Sequence, residues 1–197
     1  MRRARRAAAT GGSILTGGMP GSAELPSAAA SPLRLWRIET HAPEETRALG
    51  VLLGRHAQPE CVIALSGPLG AGKTVLAQGI GQGLQTPTLV RSSSFVLLTA
   101  HRGGRLPLLH ADLYRLSAPE EIAELALEEE AAGGVLVVEW PERWADGLSP
   151  DHLTVLFEEG AADSDRVLTF AAYGPVALAL LEQVERAARR ATAAGAV

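Results

Sequence analysis

Gly67-Pro68-Leu69-Gly70-Ala71-Gly72-Lys73-Thr74 fits G-x-x-x-x-G-K-[ST] at every position. That spacing supports phosphate binding. Glycines let the backbone curl until successive N–H groups face one anion. A helix that follows adds the positive end of its dipole. Lys73 sets an ammonium against the terminal phosphates, and the Thr74 hydroxyl can reach a magnesium ion held by them. Of the 18 lysines and arginines, Lys73 is the single lysine. A planar arginine fork does not suit a point contact inside such a loop.

A phosphate loop of this kind needs an acid at the end of a neighbouring strand. Val135-Leu136-Val137-Val138-Glu139 is four apolar residues followed by a carboxylate, and Leu108-Leu109-His110-Ala111-Asp112 has a similar outline. One acid can coordinate magnesium and the other can orient the attacking water; spacing does not say which. His110 lies in an apolar stretch and reads as a core or supporting histidine. Trp140, next to Glu139, suits either covering a base or packing in the core. Arg91-Ser92-Ser93-Ser94-Phe95 offers three hydroxyls that can ligate magnesium or sense a γ-phosphate. Arg91 and Arg115 can stabilise phosphate charge or form surface salt bridges.

The elements that must position these groups alternate between strand and helix. Strands are predicted at Leu33–Ile38, Cys61–Leu65 and Val135–Val138. Helices are predicted at Pro43–His56, Thr74–Leu84, Ser117–Ala131 and Pro175–Thr192. Phe95–His101 and Leu106–His110 flank Arg102-Gly103-Gly104-Arg105, a hairpin signal, and Leu153–Glu158 with Arg166–Tyr173 forms a second. The pattern predicts an α/β fold with a mixed, mostly parallel sheet flanked by helices and carrying antiparallel hairpins. The glutamates at 120, 121, 124, 128, 129 and 130 read as the solvated face of one helix.

Composition narrows the classes. No apolar run approaches the ~18 residues that span a bilayer. The single cysteine, Cys61, excludes an internal disulfide and fits a reducing compartment such as a cytoplasm. There is no asparagine, which excludes the N-K-x-D element that reads guanine. Residues 1–31 are rich in Ala, Gly, Ser and Arg and carry a charge of +3 within a chain total of −4. They read as a disordered extension, or as an over-long start with Met19 the first residue, ahead of a targeting segment. Residues 32–197 read as a single domain of negative charge, which favours contact with RNA through partners.

Four blocks in order resemble the TsaE (YjeE) family, the P-loop ATPase of bacterial tRNA threonylcarbamoyladenosine synthesis. They are GPLGAGKT at Gly67–Thr74, VRSSSF at Val90–Phe95, LHADLYRL at Leu109–Leu116 and VEWPER at Val138–Arg143. The family patterns for the last three are V-x-S-P-T-[FY], H-x-D-L-Y-R-L and [IV]-E-W-x-[ED]. The resemblance runs from about Leu33 to Phe170. It implies ATP and Mg2+ as ligands. Gly67, Leu69, Gly70, Ala71, Gly72, Lys73, Thr74 and Val75 would bind the triphosphate. Thr74 and Glu139 would hold magnesium, and Asp112, with Lys73, would serve hydrolysis. Trp140 and Glu142 would lie near the nucleotide, with Glu44 and the start of the Pro43 helix near the base. Ser94 stands at the family's switch threonine and keeps its hydroxyl. Ser93 replaces the switch proline, which makes the loop less rigid. The family implies TsaD and TsaB as partners, slow ATP hydrolysis by the chain alone, and no role in forming the threonylcarbamoyl bond itself.

Two other readings compete. A small-molecule kinase would need an acceptor pocket and an Arg-rich lid, for which the Arg102–Arg105 turn is the sole candidate. A nucleotide-sensing binding module would hydrolyse little and would tolerate loss of Asp112 or Glu139.

Overall fold

The computed structural model describes residues 31–90, 97–116, 118–144 and 147–193. The extension expected at residues 1–31 lies, apart from Ser31, outside the described residues, as do Arg91 and the serines up to Ser94. In chain order the elements are β1 (Arg34–Thr40), α1 (Pro43–His56), β2 (Cys61–Ser66), α2 (Lys73–Gly83), β3 (Leu98–His101) and β4 (Leu108–Asp112). They continue with α3 (Pro119–Ala123), α4 (Leu127–Glu130), β5 (Val135–Glu139), β6 (His152–Glu159), β7 (Arg166–Tyr173) and α5 (Pro175–Ala193). A 3-10 turn at Pro141–Trp144 follows β5.

The strands form one seven-stranded sheet in the order β1-β7-β6-β2-β5-β4-β3. β2 pairs parallel with β5 and β6, and β4 pairs parallel with β5. β7 runs antiparallel to β6 and β1, and β3 runs antiparallel to β4. The sheet is therefore mixed, parallel at its centre and antiparallel at its edges, as the sequence predicts. β2 and β5 are apolar along nearly their whole length because helices cover both faces.

Helices α1, α2 and α5 pack on one face. There Leu53, Ile63, Leu76 and Ile80 are fully buried, each contributing ~1.5–3 kcal/mol. α1 and α2 touch through glycines. A Cβ on Gly50 would stand 2.9 Å from the Gly79 Cα. This contact fixes the height of α2, which begins at Lys73. The other face is covered by α3, α4 and the 3-10 turn over a smaller core that includes Leu109, Leu136 and Val138.

The single helix expected at Ser117–Ala131 is two short ones, α3 and α4, broken at Ala126, whose φ is +44°. Ile122 and Leu127 are both buried in the smaller core. Five residues apart on a continuous helix, they would point ~140° away from each other. The break turns both inward. All six glutamates of the segment remain exposed, as expected. Among the described residues no helix is long and apolar enough to cross a membrane.

Candidate functional site

The site lies at the carboxyl edge of the parallel strands. β2 ends at Ser66 and the loop 67–72 leads into α2. Gly72 precedes that helix with φ +101°, a left-handed conformation that favours glycine, and so delivers Lys73 and Thr74 into the first turn. The ammonium of Lys73 donates to the carbonyls of Gly67 (2.7 Å) and Pro68 (2.8 Å). It also lies 3.9 Å from the centroid of the Trp140 ring. Burial pushes the Lys73 pKa below the ordinary lysine value, and Glu139, Glu142 and Asp112 pull it back up in part. The indole face adds a favourable cation–π contact.

Trp140 leaves β5 with φ +64°, uncommon for a bulky side chain. Its N–H donates to the Leu65 carbonyl across the neighbouring strand, at 3.1 Å. On its ring packs Tyr114, with centroids 4.8 Å apart. Held strain at a cleft wall is a pattern found at binding sites.

Glu139 is 2% exposed. The Thr74 hydroxyl donates to its carboxylate, at 3.0 Å to Oε1 and 3.1 Å to Oε2. His110 Nε2 stands 2.9 Å from Oε1. Asp112 is paired in register with Glu139 across the parallel β4–β5 ladder. It is half-buried, and its Oδ1 accepts the Tyr114 N–H at 3.2 Å. The two acids thus differ. Glu139 is anchored inside, whereas Asp112 lines the open cleft.

That cleft has a volume of about 550 Å³, within the usual range for small-molecule sites. Leu69, Gly70, Ala71, Gly72 and Thr74–Val75 form its floor. Asp112, Tyr114, Arg115, Glu139 and Trp140 form its wall. A second hollow of about 190 Å³ adjoins the loop, between Ala42, Pro43 and Thr46 of the α1 start and Ser164 and Arg166. Thr74, Glu139 and Asp112 present oxygen donors only, a set suited to a hard cation such as magnesium.

Most of the residues singled out in the sequence converge here, with particular exceptions. Gly67 meets Lys73 through its carbonyl. Glu142 is exposed, and accepts a bond from the Ser66 hydroxyl at 3.4 Å. Glu44 lines neither hollow and lies 3.9 Å from Arg47 on the exposed turn of α1; its neighbours Ala42, Pro43 and Thr46 do the lining. Ser94 lies outside the described residues. The Arg102–Arg105 turn is no lid. It sits at the opposite edge of the sheet, where Arg105 donates to the carbonyls of Gly54 and Ala57, each at 2.7 Å, and ends α1.

Tyr114 enters the sequence reading only as part of the LHADLYRL block, with no place at the site, and the contact of His110 with Glu139 is not foreseen there. The alternation Leu108, His110, Asp112 carries the signal for the second. It places His110 on the same strand face as Asp112, and that face meets Glu139 once β4 and β5 are neighbours.

Comparisons with known proteins bear on the family and the fold. Residues 40–168 match the profile of the family described as "Threonylcarbamoyl adenosine biosynthesis protein TsaE". The Bacillus subtilis "tRNA threonylcarbamoyladenosine biosynthesis protein TsaE" is 37% identical over 152 residues, covering 77% of this chain and 93% of that protein. The Mycobacterium bovis protein of the same name is 40% identical over 136 residues, covering 64% of this chain and 81% of its own. The crystal structure of Bacillus subtilis YdiB superposes with a TM-score of 0.64 at 31% identity, covering 78% of this chain and 95% of that one. With the family's profile matched over residues 40–168 and a relative 37% identical over 152 residues, the chain belongs to the TsaE family of tRNA threonylcarbamoyladenosine biosynthesis proteins.

Proposed function

We propose that the chain binds ATP with magnesium at the Gly67–Thr74 loop and hydrolyses it for the tRNA threonylcarbamoyladenosine machinery, with TsaD and TsaB homologues as its partners in the cytoplasm. The observation that carries the ATP reading is the bond of the Thr74 hydroxyl to buried Glu139 beside Lys73. It joins the phosphate loop to a strand-end carboxylate 65 residues away.

In this reading the N–H groups of Gly70 to Val75 cradle the phosphates, and Lys73 neutralises their terminal oxygens. Thr74 and Glu139 hold magnesium, which when bound spreads the negative charge of the phosphates. Asp112, on the cleft side, orients the attacking water and receives its proton. Trp140 and Tyr114 wall the phosphates from solvent, Glu142 lies near the nucleotide and its charge favours the protonated Lys73, and Ser94 reads the γ-phosphate. The hollow at the α1 start takes the base. Such a site works by positioning and charge stabilisation, so a partner that completes it raises the rate.

The test is ATP turnover by the purified chain, alone and with its organism's TsaD and TsaB homologues. The expected result is slow turnover alone and stimulation by the pair, both lost in Lys73→Ala. Wild-type affinity and rate in Lys73→Ala would sink the site. Intact ATP binding without stimulation would sink the partner assignment.

A further inference from the structure

His110 has no part in the chemistry set out above, yet it is one of the most enclosed polar residues of the fold, 3% exposed. Its Nε2 lies 2.9 Å from Glu139 Oε1, and both side chains are 3% exposed. A buried carboxylate is costly unless its lone pairs are met. Glu139 meets them with two groups from different elements. Thr74 reaches it from α2, and His110 from β4. The Thr74 contact spans both oxygens and does not by itself choose between them. The imidazole contact does choose, because it engages Oε1.

Resting on the magnesium reading of this site, we infer that His110 is a positioning residue for the metal. Its Nε2–H locks Oε1 of Glu139 and leaves Oε2 turned toward the cation or its water shell. The neighbouring strands enforce the arrangement. His110 is paired in register with Val137, two residues before Glu139, so its ring lies beside the carboxylate while the ladder fixes the backbone of both. Partners that hydrogen-bond a ligating group from behind set its orientation, and their loss typically costs 10–100-fold in metal affinity. Glu139 would be one ligand among several, with Thr74 and phosphate oxygens supplying others, so the low end applies here.

The experiment uses the full chain with a non-hydrolysable ATP analogue and Mn2+ as a paramagnetic stand-in for Mg2+. The Mn2+ dissociation constant of the ternary complex is read by electron paramagnetic resonance, and ADP affinity in EDTA is read separately. His110→Phe keeps the ring and removes the donor. It is expected to weaken Mn2+ about tenfold and leave metal-free ADP affinity unchanged. His110→Gln, whose amide nitrogen reaches a similar point, is expected to restore Mn2+ affinity to within about threefold. Should the phenylalanine variant fail to fold, His110→Asn, whose amide ends short of Glu139, takes its place with the same expectation. Equal Mn2+ affinity in wild type and the donor-lacking variant would overturn the inference. So would a loss of ADP affinity matching the loss of Mn2+. A wild-type complex that holds no Mn2+ would overturn the magnesium reading itself, and this inference with it.

Discussion

The glycine contact between α1 and α2 allows a prediction whose sign separates two effects. Gly50→Ala adds one methyl group to the middle of α1. On propensity alone, alanine for glycine in a helix stabilises by about 1 kcal/mol. The structure opposes this. The new Cβ would meet the Leu76 carbonyl, and would stand 2.9 Å from the Gly79 Cα and 3.0 Å from the Ile80 nitrogen. An unstrained carbon pair sits at ~3.5 Å or more, and the Leu76 carbonyl oxygen is the closest of the three contacts, so the helices must part by roughly 1 Å. The obstacle is backbone and cannot rotate away. Overpacking of this kind costs ~1–3 kcal/mol, and the upper end applies when nothing can yield. Subtracting the propensity gain leaves a net loss of ~2 kcal/mol. For a domain of this size that lowers Tm by about 4–8 °C. The shift also moves Lys73 and Thr74 at the head of α2, and on the proposed function kcat for ATP should fall by ~10–100-fold, given that 1 Å of misplacement can cost ~100-fold. Differential scanning calorimetry and a steady-state ATPase assay read the two effects. Gly79→Ala forces the same pair of helices apart, since its Cβ meets the Arg47 carbonyl, so the double variant should lose less than the sum. A higher Tm in Gly50→Ala would refute the close-approach argument and leave propensity as the deciding term.

Two further outcomes are expected. Asp112→Ala should bind ATP with near wild-type affinity but lose at least ~100-fold in turnover, measured by equilibrium binding and by phosphate release; retained turnover would remove Asp112 from the mechanism. Burial holds the His152 and His101 pKa values below the usual histidine value of 6.5. The unfolded chain therefore takes up protons that the folded chain refuses, and stability should fall as pH drops through about 6.5. Urea midpoints from pH 8 to pH 5 should show a shallower slope in His152→Phe, and an unchanged slope would contradict the assignment.

How much of this was legible in the sequence depends on how local each cause is. The phosphate loop was readable because its donors, lysine and hydroxyl are consecutive, and the strand and helix on either side fix their geometry. α1 and β7 were placed at the bounds the structure shows, since Pro43 and Gly174 mark their edges. The break at Ala126 was not readable. It arises from two anchors, Ile122 and Leu127, that seek one core, and nothing in their own propensities announces it. The hairpin of β3 and β4 was readable, but its turn carries Arg105 to the far edge of the sheet, a fact of strand direction. Spacing left open which of Asp112 and Glu139 does what; the separate roles proposed for them come from the resemblance, and what the structure adds is that Glu139 is buried and Asp112 is half-buried. Tyr114 falls inside the LHADLYRL block but in a turn without periodicity, so no role of its own could be read for it, and its packing on Trp140 is what brings it to the cleft.

The carbonyls that hold Lys73 bear on how a ligand would enter. The ammonium has already shed most of its hydration in folding, with the Gly67 and Pro68 oxygens standing where water would be. On the proposed reading, an arriving phosphate would meet a dry cation and trade one oxygen for another. The dehydration penalty would then belong to the stability of the fold and would be absent from the affinity for such a ligand. The lysine also acts as an internal tie, drawing the Gly67 and Pro68 carbonyls to one point and so bracing the turn that leads into α2.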